Sequence, residues 1–405
     1  MINRFLGLAC GVVVGVTSVQ AETLSLTGKM RWLAVASTKD KDVAIGIARV
    51  ASYMADTVKV VSSKSGFYAV VLGPFATGSI AELKKTDTNE RLSDLPADAL
   101  LSRGENYIET VWDAKSGGIG QVAYSIDKVA EFSSGPLSVK IKGEKLGAEN
   151  AYTVVDGKDA GGTFHFDIGK DLPTDELSSA EEFMGLTYHR AAVAKLVPNA
   201  PNNQVIVTSY TGGAHCCTKT WILSRDAAQA AWSKIEGDML DGDGYWFEDV
   251  DGDGALELLS VDNHFLYAFD SYAGSIAPIK IYKLQSGKIE DVSEMPDMHH
   301  RLAQDLAGME YEVKVRPDLW KENGFLAGWV ASKIRLGQGT DAWQVVTENM
   351  AMDTGFGPQE CTSGQSVDDC PVDNLKQIPV LKALAGFLNE NGYSPLPDAA
   401  EKLLH

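Results

Sequence analysis

Apolar and polar positions alternate near the start of the chain and then change to helical spacing. Residues 31–36 alternate bulky and small side chains, which predicts a strand. Residues 37–40 supply turn and helix-capping residues, and apolar residues between Lys41 and Ala55 recur at intervals of three and four, which predicts an amphipathic helix. Two strands rich in β-branched and aromatic residues then follow over residues 57–61 and 67–72.

A weaker helix over residues 79–85 and a strand over residues 106–112 complete the order β-α-β-β-α-β. We expect Gly73 and Pro74 to end the third strand, because proline has no backbone N–H to donate. This order predicts a small split-βαβ, ferredoxin-like sandwich over residues 29–113.

The remainder of the chain divides into two parts after a predicted linker at residues 115–120. Residues 121–294 contain short alternating segments separated by turn residues, which predicts a mainly β domain. Helical spacing returns within residues 319–334 and 375–388, so residues 295–405 are predicted to form a helical C-terminal extension. The predicted fold class is therefore α+β.

The first 21 residues have the pattern of a cleaved signal peptide. Arg4 supplies a basic start, residues 5–16 are apolar, and small residues up to Ala21 suit signal peptidase, so the mature chain is expected to begin near Glu22. The apolar run is too short to span a bilayer, and no later segment approaches about 18 uninterrupted apolar residues. We expect a periplasmic protein without a membrane span.

The net charge limits the classes of partner. It is −19 for the whole chain, and removal of Arg4, the one charged residue of the signal, changes it to −20. Phosphate binding relies on clustered Lys and Arg, so nucleic acid and anionic lipid surfaces are disfavoured as partners.

One phrase in the N-terminal module carries a family resemblance. Residues 66–75 read Gly-Phe-Tyr-Ala-Val-Val-Leu-Gly-Pro-Phe, and residues 29–113, with their β-α-β-β-α-β order, resemble the sporulation-related repeat (SPOR) family. The resemblance implies binding to peptidoglycan glycan strands stripped of stem peptides. Sugar rings require aromatic surface and polar groups on an open sheet face, and the candidates are Trp32, Ser62, Lys64 and Tyr68. The alternative is that Trp32, Phe67 and Tyr68 are core residues.

An acidic loop offers a second candidate site. Residues 249–257 read Asp-Val-Asp-Gly-Asp-Gly-Ala-Leu-Glu, which places oxygen donors at alternating positions. Calcium accepts six to eight such ligands. The predicted ligands are Asp249, Asp251, Asp253, the Ala255 carbonyl and Glu257. The loop resembles those of FG-GAP and related repeat proteins, in which a strand follows directly, and this implies a structural calcium ion. An acidic turn that holds no metal is the alternative.

Four cysteines remain after the signal, which carries Cys10, is removed. Cys361 and Cys370 flank a polar loop, which predicts a local disulfide in an oxidising compartment. Cys216 and Cys217 are adjacent, and three interpretations stay open: a disulfide between them, a pair of buried thiols, or a metal site.

These observations predict a non-catalytic protein that binds peptidoglycan glycan strands and has a calcium-stabilised β domain. An envelope protein is a possible further partner. The alternative is an envelope hydrolase in which Cys216 or Cys217 is the nucleophile, His215 or His264 the base, and Asp262 or Asp270 the orienting group. Adjacent strand residues point to opposite faces, which disfavours cooperation between His215 and Cys216.

Overall fold

The computed structural model describes residues 24–114, 119–172, 189–211, 216–225, 231–352 and 356–405. The predicted signal peptide, His215 and residues 115–118 of the predicted linker lie outside the described residues. Within the described ranges the chain combines an N-terminal antiparallel sheet with a helix, several further β-sheets, and a helical C-terminal region, which confirms the predicted α+β class.

The N-terminal module, residues 29–113, forms one antiparallel sheet with helices on one side. Its elements are β1 (Met30–Thr38), α1 (Lys41–Val50), β2 (Val58–Ser63), β3 (Tyr68–Ala76), α2 (Ile80–Thr86), β4 (Leu100–Ser102) and β5 (Tyr107–Asp113). The strand order is β4-β1-β3-β2-β5. The first four strands in this order have the arrangement of the predicted split-βαβ sandwich.

Two details of this sheet differ from the predictions. The strand predicted at residues 106–112 exists as β5, but it pairs with β2, and Leu100–Ser102 takes the place beside β1. Gly73 and Pro74 do not end β3, since Phe75 and Ala76 still pair with β1. Two residues of β3 stand opposite Trp32 alone, so Pro74 lies in a β-bulge, where no ladder N–H is required.

The sheet is apolar on both faces. The Asp40 carboxylate caps α1 by accepting hydrogen bonds from the backbone N–H groups of Asp42 and Val43 at 2.8 and 3.1 Å. The apolar stripe of α1 then packs on the face that carries Leu33 and Val35. The opposite face forms a smaller cluster, whose members include Leu24, Trp32, Ala34, Val61, Ala69 and Val71. The chain segment at residues 24–26 therefore covers the face away from the helix.

The β region, residues 121–294, contains three packed sheets. The first has the order β10-β9-β8-β7, the second β14-β13-β12-β11-β6 and the third β15-β16-β17-β18. Their strands are β6 (Val122–Ala123), β7 (Ala130–Ser134), β8 (Leu137–Leu146), β9 (Asn150–Asp159), β10 (Gly162–Ile168), β11 (His189–Ala194), β12 (Gln204–Tyr210), β13 (Cys216–Ser224), β14 (Ser233–Asp241), β15 (Trp246–Glu248), β16 (Glu257–Val261), β17 (Ile279–Gln285) and β18 (Lys288–Asp291).

The second sheet lies between the other two. Val205, Val207 and Leu223 face the first sheet, whereas Ile206 and Ile222 face the third. This alternation follows from the two-residue period of a strand, and it explains why β12 and β13 are apolar on both faces.

The C-terminal region, residues 295–405, is mainly helical. Its elements are α3 (His299–Val315), α4 (Asn323–Arg335), α5 (Gly339–Asn349), β19 (Gln359–Cys361), β20 (Leu375–Gln377), α6 (Val380–Glu390) and α7 (Asp398–Glu401). The helices predicted at residues 319–334 and 375–388 correspond to α4 and α6, although Leu375–Gln377 is a short strand. Among the described residues no helix is both long enough and apolar enough to cross a membrane.

A close helix pair joins the two ends of the chain. α3 packs one side on the third sheet through Leu302, beside Met298 just before the helix. It packs the other side on α1, with Tyr311 entering the core of the N-terminal module. A Cβ atom at Gly46 of α1 would lie 2.0 Å from the Gln304 carbonyl oxygen of α3, so only glycine permits this approach.

The first prediction concerns this contact. Gly46→Ala is expected to destabilise the intact chain by about 1–3 kcal/mol, because the added methyl group meets backbone instead of a movable side chain. Gly386→Ala in α6 is the matched control, since a Cβ there meets nothing within 4 Å, and it should be neutral or stabilise by up to about 1 kcal/mol. Urea unfolding midpoints measure both, and an equal response of the two variants would contradict the packing described.

Candidate functional site

The acidic loop, residues 249–257, connects β15 to β16 and is shaped by its own side chains. The Asp249 carboxylate accepts a hydrogen bond from Gly254 N–H at 3.2 Å, Asp251 accepts from Asp253 N–H at 3.1 Å, and Asp253 accepts from Ala255 N–H at 2.8 Å. Gly254 has φ +81°, in the left-handed region that glycine adopts without a steric penalty. Gly254 therefore allows the loop to turn sharply before Ala255.

Three of the predicted ligands converge. Carboxylate oxygens of Asp249, Asp251 and Glu257 all lie within 4.8 Å of one another. Glu257 is 2% exposed and accepts a hydrogen bond from Val250 N–H at 2.6 Å. Asp253 is not part of this trio. Ala255, two residues later in the sequence, is buried. The cluster offers hard oxygen donors, the chemistry that calcium and magnesium prefer.

A lysine that the sequence analysis did not identify lies among these carboxylates. The Lys283 ammonium, from the neighbouring strand β17, donates to Asp251 and lies 3.3 Å from Glu257 and 3.7 Å from Asp253. It therefore supplies a positive charge at the place where a metal ion would contact the same oxygens. The donor set fits a divalent cation, provided that the Lys283 side chain moves away.

The ionisation of the cluster reflects this pairing. Burial raises the pKa of the Glu257 carboxyl, and the Val250 hydrogen bond offsets only part of that effect. Burial also acts to raise the pKa of Asp251, but hydrogen bonds from Lys283 and from the Asp253 backbone outweigh it and lower the pKa. Burial acts to lower the pKa of Lys283, and its bond to Asp251 and the charge of Glu257 reverse this and raise it. Lys283 is consequently charged at neutral pH.

The second prediction tests this role of Lys283. Lys283→Met keeps an apolar stem of similar length but leaves the carboxylates without their cation, so in metal-free buffer it should cost about 1–3 kcal/mol of unfolding free energy. Lys288→Met, on the exposed adjacent strand β18, is the control and should change stability by less than about 0.5 kcal/mol. Chemical denaturation in the presence of a chelator measures both variants, and equal stability would show that Lys283 does not hold the loop.

The four residues predicted to contact glycan do not share one face of the N-terminal sheet, and Lys64 lies in the turn between β2 and β3. Tyr68 pairs across the sheet with Thr38 on one side and with Ser62 on the other, and all three lie at the same end of their strands. Trp32 is on the opposite face, where it is 3% exposed and its indole N–H donates to the Leu24 carbonyl at 2.8 Å. In this structure Trp32 is a core residue, as the alternative interpretation held.

The strand end that holds Ser62, Lys64, Phe67 and Tyr68 is called the hairpin patch. Phe67 and Tyr68 are partly exposed, and the Lys39 ammonium lies over the Phe67 ring at 5.6 Å from its centroid. Lys64 is exposed and donates to the Glu105 carbonyl at 2.9 Å. The Ser62 hydroxyl is buried and has no hydrogen-bond partner among the described residues, so it does not face solvent. The accessible part of the patch combines the ring surface of Phe67 and Tyr68 with the ammonium group of Lys64.

The four remaining cysteines form two disulfides. Cys361 and Cys370 are bonded, with 5.7 Å between their Cα atoms, and they close the loop between β19 and β20. The sulfur atoms of Cys216 and Cys217 are bonded to each other, which corresponds to the first of the three interpretations. In this form neither sulfur is a thiolate, and thiolate is the form that attacks as a nucleophile.

His264 and Asp262, which the hydrolase alternative named as a candidate base and a candidate orienting group, are in contact. His264 Nδ1 lies 2.7 Å from Asp262, which also accepts a hydrogen bond from the Tyr393 hydroxyl at 2.8 Å. Asp262 is 1% exposed and also accepts from the His264 backbone N–H at the start of a short 3-10 helix. These bonds attach the third sheet to the end of α6, which is a structural role.

A charge network at the junction of the three regions was not identified from the sequence. Arg49 of α1 donates to Glu248, which precedes the acidic loop, and to Gln304 of α3 at 3.0 Å. Arg301 of α3 donates to the same Glu248 at 3.3 Å, and Gln304 donates to Asp42 at 2.9 Å. Arg49 and Gln304 are 255 residues apart, so no local sequence pattern relates them.

Comparisons with known proteins identify a family model and relatives that the chain resembles. Residues 302–392, which hold most of α3 and all of α4 to α6, match the family model of the sll0997 C-terminal domain. A protein of Sinorhizobium fredii with the name "Uncharacterized protein y4bJ" is 34% identical over 397 residues, covering 97% of this chain and 61% of that protein. The "Probable thylakoid lumen protein sll0997" of Synechocystis is 33% identical over 194 residues, covering 48% of this chain and 57% of that protein.

The chain thus spans about three fifths of the length of these curated relatives. No solved structure matches it. The segment that matches the sll0997 C-terminal domain includes Gln304, Gly308 and Tyr311, the α3 residues that contact the N-terminal module.

Proposed function

We propose that this chain is an exported, non-catalytic protein of the bacterial periplasm that binds peptidoglycan glycan strands through the hairpin patch. The observation that carries the proposal is the grouping of Lys64, Phe67 and Tyr68, all at least partly exposed, at one end of a split-βαβ sheet. Aromatic rings stack on the apolar faces of sugar rings, while hydroxyl and ammonium groups exchange hydrogen bonds with sugar hydroxyls. The short apolar run at residues 5–16 and the lumenal name of the Synechocystis relative support export.

The site differs from the sequence-based expectation in two respects. Trp32 lies beneath residues 24–26, so the proposed contact surface is the strand end instead of the open sheet face. The Ser62 hydroxyl is also buried, so Tyr68 and Phe67 supply the ring surface and Lys64 supplies the charged polar group.

The third prediction measures glycan binding directly. The intact chain is expected to co-sediment with purified peptidoglycan sacculi, and Tyr68→Ala should weaken this binding about tenfold, which corresponds to about 1.4 kcal/mol of lost stacking and hydrogen bonding. Tyr53→Ala is the matched control, because Tyr53 is an exposed aromatic residue of the same module, 57% exposed, outside the hairpin patch. Equal binding by all three proteins, with thermal unfolding confirming that each is folded, would contradict the proposed site.

We also propose that the acidic loop binds calcium as a structural ion. Asp249, Asp251 and Glu257 would hold the ion, which would link β15 to β16 beside the junction of the three regions. The ion would displace the Lys283 ammonium from these oxygens, so calcium affinity includes the cost of separating Lys283 from Asp251 and Glu257.

The fourth prediction follows from this competition. Lys283→Met should bind calcium about tenfold or more tightly than the unmodified chain, because the competing charge is gone. Isothermal titration calorimetry with calcium chloride measures the affinity, and a Lys283→Met, Asp251→Asn double variant should lose most of it. If Lys283→Met does not bind calcium, the proposal of a calcium site is wrong. The loop of the unmodified chain is then an acidic turn held by Lys283 alone.

A further inference from the structure

A cleft of about 770 Å³ lies where the N-terminal module, the β region and α3 meet. Its volume is in the range typical of small-molecule sites, about 300–1,000 Å³. α1 and β5 line one side, β15 and the acidic loop line another, and α3 contributes His300 and Gln304. A ligand in this cleft would touch all three regions at once.

Partly buried hydrogen bonds connect the walls of the cleft. Arg49 and Gln304, both lining residues, are hydrogen-bonded to each other, and Arg49 also donates to Glu248 on the facing wall. Tyr245 and Phe247 are buried lining residues, at 2% and 4% exposure, and belong to the core between the second and third sheets. α1, α3 and β15 are therefore joined before a ligand arrives, which lowers the entropic cost of binding.

Two tryptophans from different regions of the chain line the cleft. Trp112 of β5 lies in the N-terminal module, and the Arg49 guanidinium lies over its ring at 5.6 Å from the centroid. Trp246 of β15 lies in the β region and is 37% exposed, although both of its sequence neighbours are buried. The accessible indole of Trp246 is suited to stack on a flat apolar ring face.

The polar groups of the cleft carry charges of both signs in nearly equal number. The basic lining residues are Lys41, Arg49 and Arg190, and the acidic ones are Asp42, Asp243, Glu248 and Asp249. Arg190 and Asp243 are 3.8 Å apart, beyond hydrogen-bond distance, so each retains capacity to bond a ligand. Lys41 and Asp249 are exposed at the rim.

This balance selects the chemical class of the ligand. A strongly anionic ligand would meet four carboxylates, and a cationic ligand would meet three basic side chains. A hydroxyl group both donates and accepts, so it can bond to Arg190 and Asp243 together without carrying charge. The accessible face of Trp246 requires a ring with an apolar face. Uncharged sugar rings meet both requirements.

We propose that this inter-module cleft is a second saccharide site, which binds an uncharged oligosaccharide by stacking on Trp246 and by hydrogen bonds to Arg190 and Asp243. The inference adds a separate glycan contact to the proposed function. The cleft shares no residue with the hairpin patch, so an experiment can contradict one of the two proposed sites without contradicting the other.

The experiment uses the intact chain carrying Tyr68→Ala, which weakens binding at the hairpin patch so that binding at the cleft can be measured. Calorimetric titration with an N-acetylglucosamine tetramer, an uncharged probe, should show saturable binding accompanied by a change in tryptophan fluorescence. Adding Trp246→Ala should weaken binding about tenfold, and Arg190→Gln should weaken it by a similar factor. Galacturonic acid tetramer, an acidic probe of equal length, should bind at least about tenfold more weakly than the uncharged one.

The control is Tyr53→Ala in the same background, which removes an exposed aromatic side chain outside the cleft and should leave the affinity unchanged. Trp246 is the primary substitution because its side chain is exposed, and circular dichroism confirms that each variant is folded. Unchanged affinity in both Trp246→Ala and Arg190→Gln, a preference for the acidic tetramer, or no saturable binding would overturn the inference. Failure of the hairpin patch would instead appear as sacculus binding that Tyr68→Ala does not reduce.

Discussion

The contact between α1 and α3 is the constraint on which the arrangement of the chain depends. Gly46 lets the α1 backbone meet the Gln304 carbonyl, and Gly308 of α3 accommodates Val50 of α1 in the same way. Side chains then extend the contact, since Tyr311 enters the core of the N-terminal module and Lys314 pairs with Asp98 at 2.9 Å. A module that resembles a self-contained domain in sequence is therefore packed against a helix from the other end of the chain.

This contact determines where the candidate sites lie relative to one another. α3 packs on the third sheet as well as on α1, and Glu248 at the end of β15 bonds to arginines from both helices. The acidic loop begins at the next residue, so it lies at the junction of all three regions. The hairpin patch lies elsewhere, at the strand ends of the N-terminal module, and is independent of the junction.

Local patterns predicted the elements but not the relations between distant segments. The apolar stripe of α1, its Asp40 cap and the donor spacing of the acidic loop are each set by residues within a few positions of one another, and all are present. Trp32 was assigned to a binding face because the sequence does not reveal that Leu24 returns to cover it. Lys283 was missed because it reaches the loop from a neighbouring strand, 26 residues after Glu257 in the sequence. Residues 106–112 were predicted as the last strand of the sandwich, whereas the short strand β4 pairs with β1 and β5 pairs with β2, because strand order depends on pairing that no local signal specifies.

The central claim is that the N-terminal module and the C-terminal helices form one cooperative unit through α1 and α3. Native-state hydrogen exchange of the intact chain tests it most directly, by comparing the opening free energies of amides in β1 and β3 with those in α4 and α6. The account predicts similar values in the two regions, and it predicts that both fall together when Gly308→Val forces the helices apart. Exchange that differs between the regions and changes in only one of them would show that the module folds independently, and would contradict the claim.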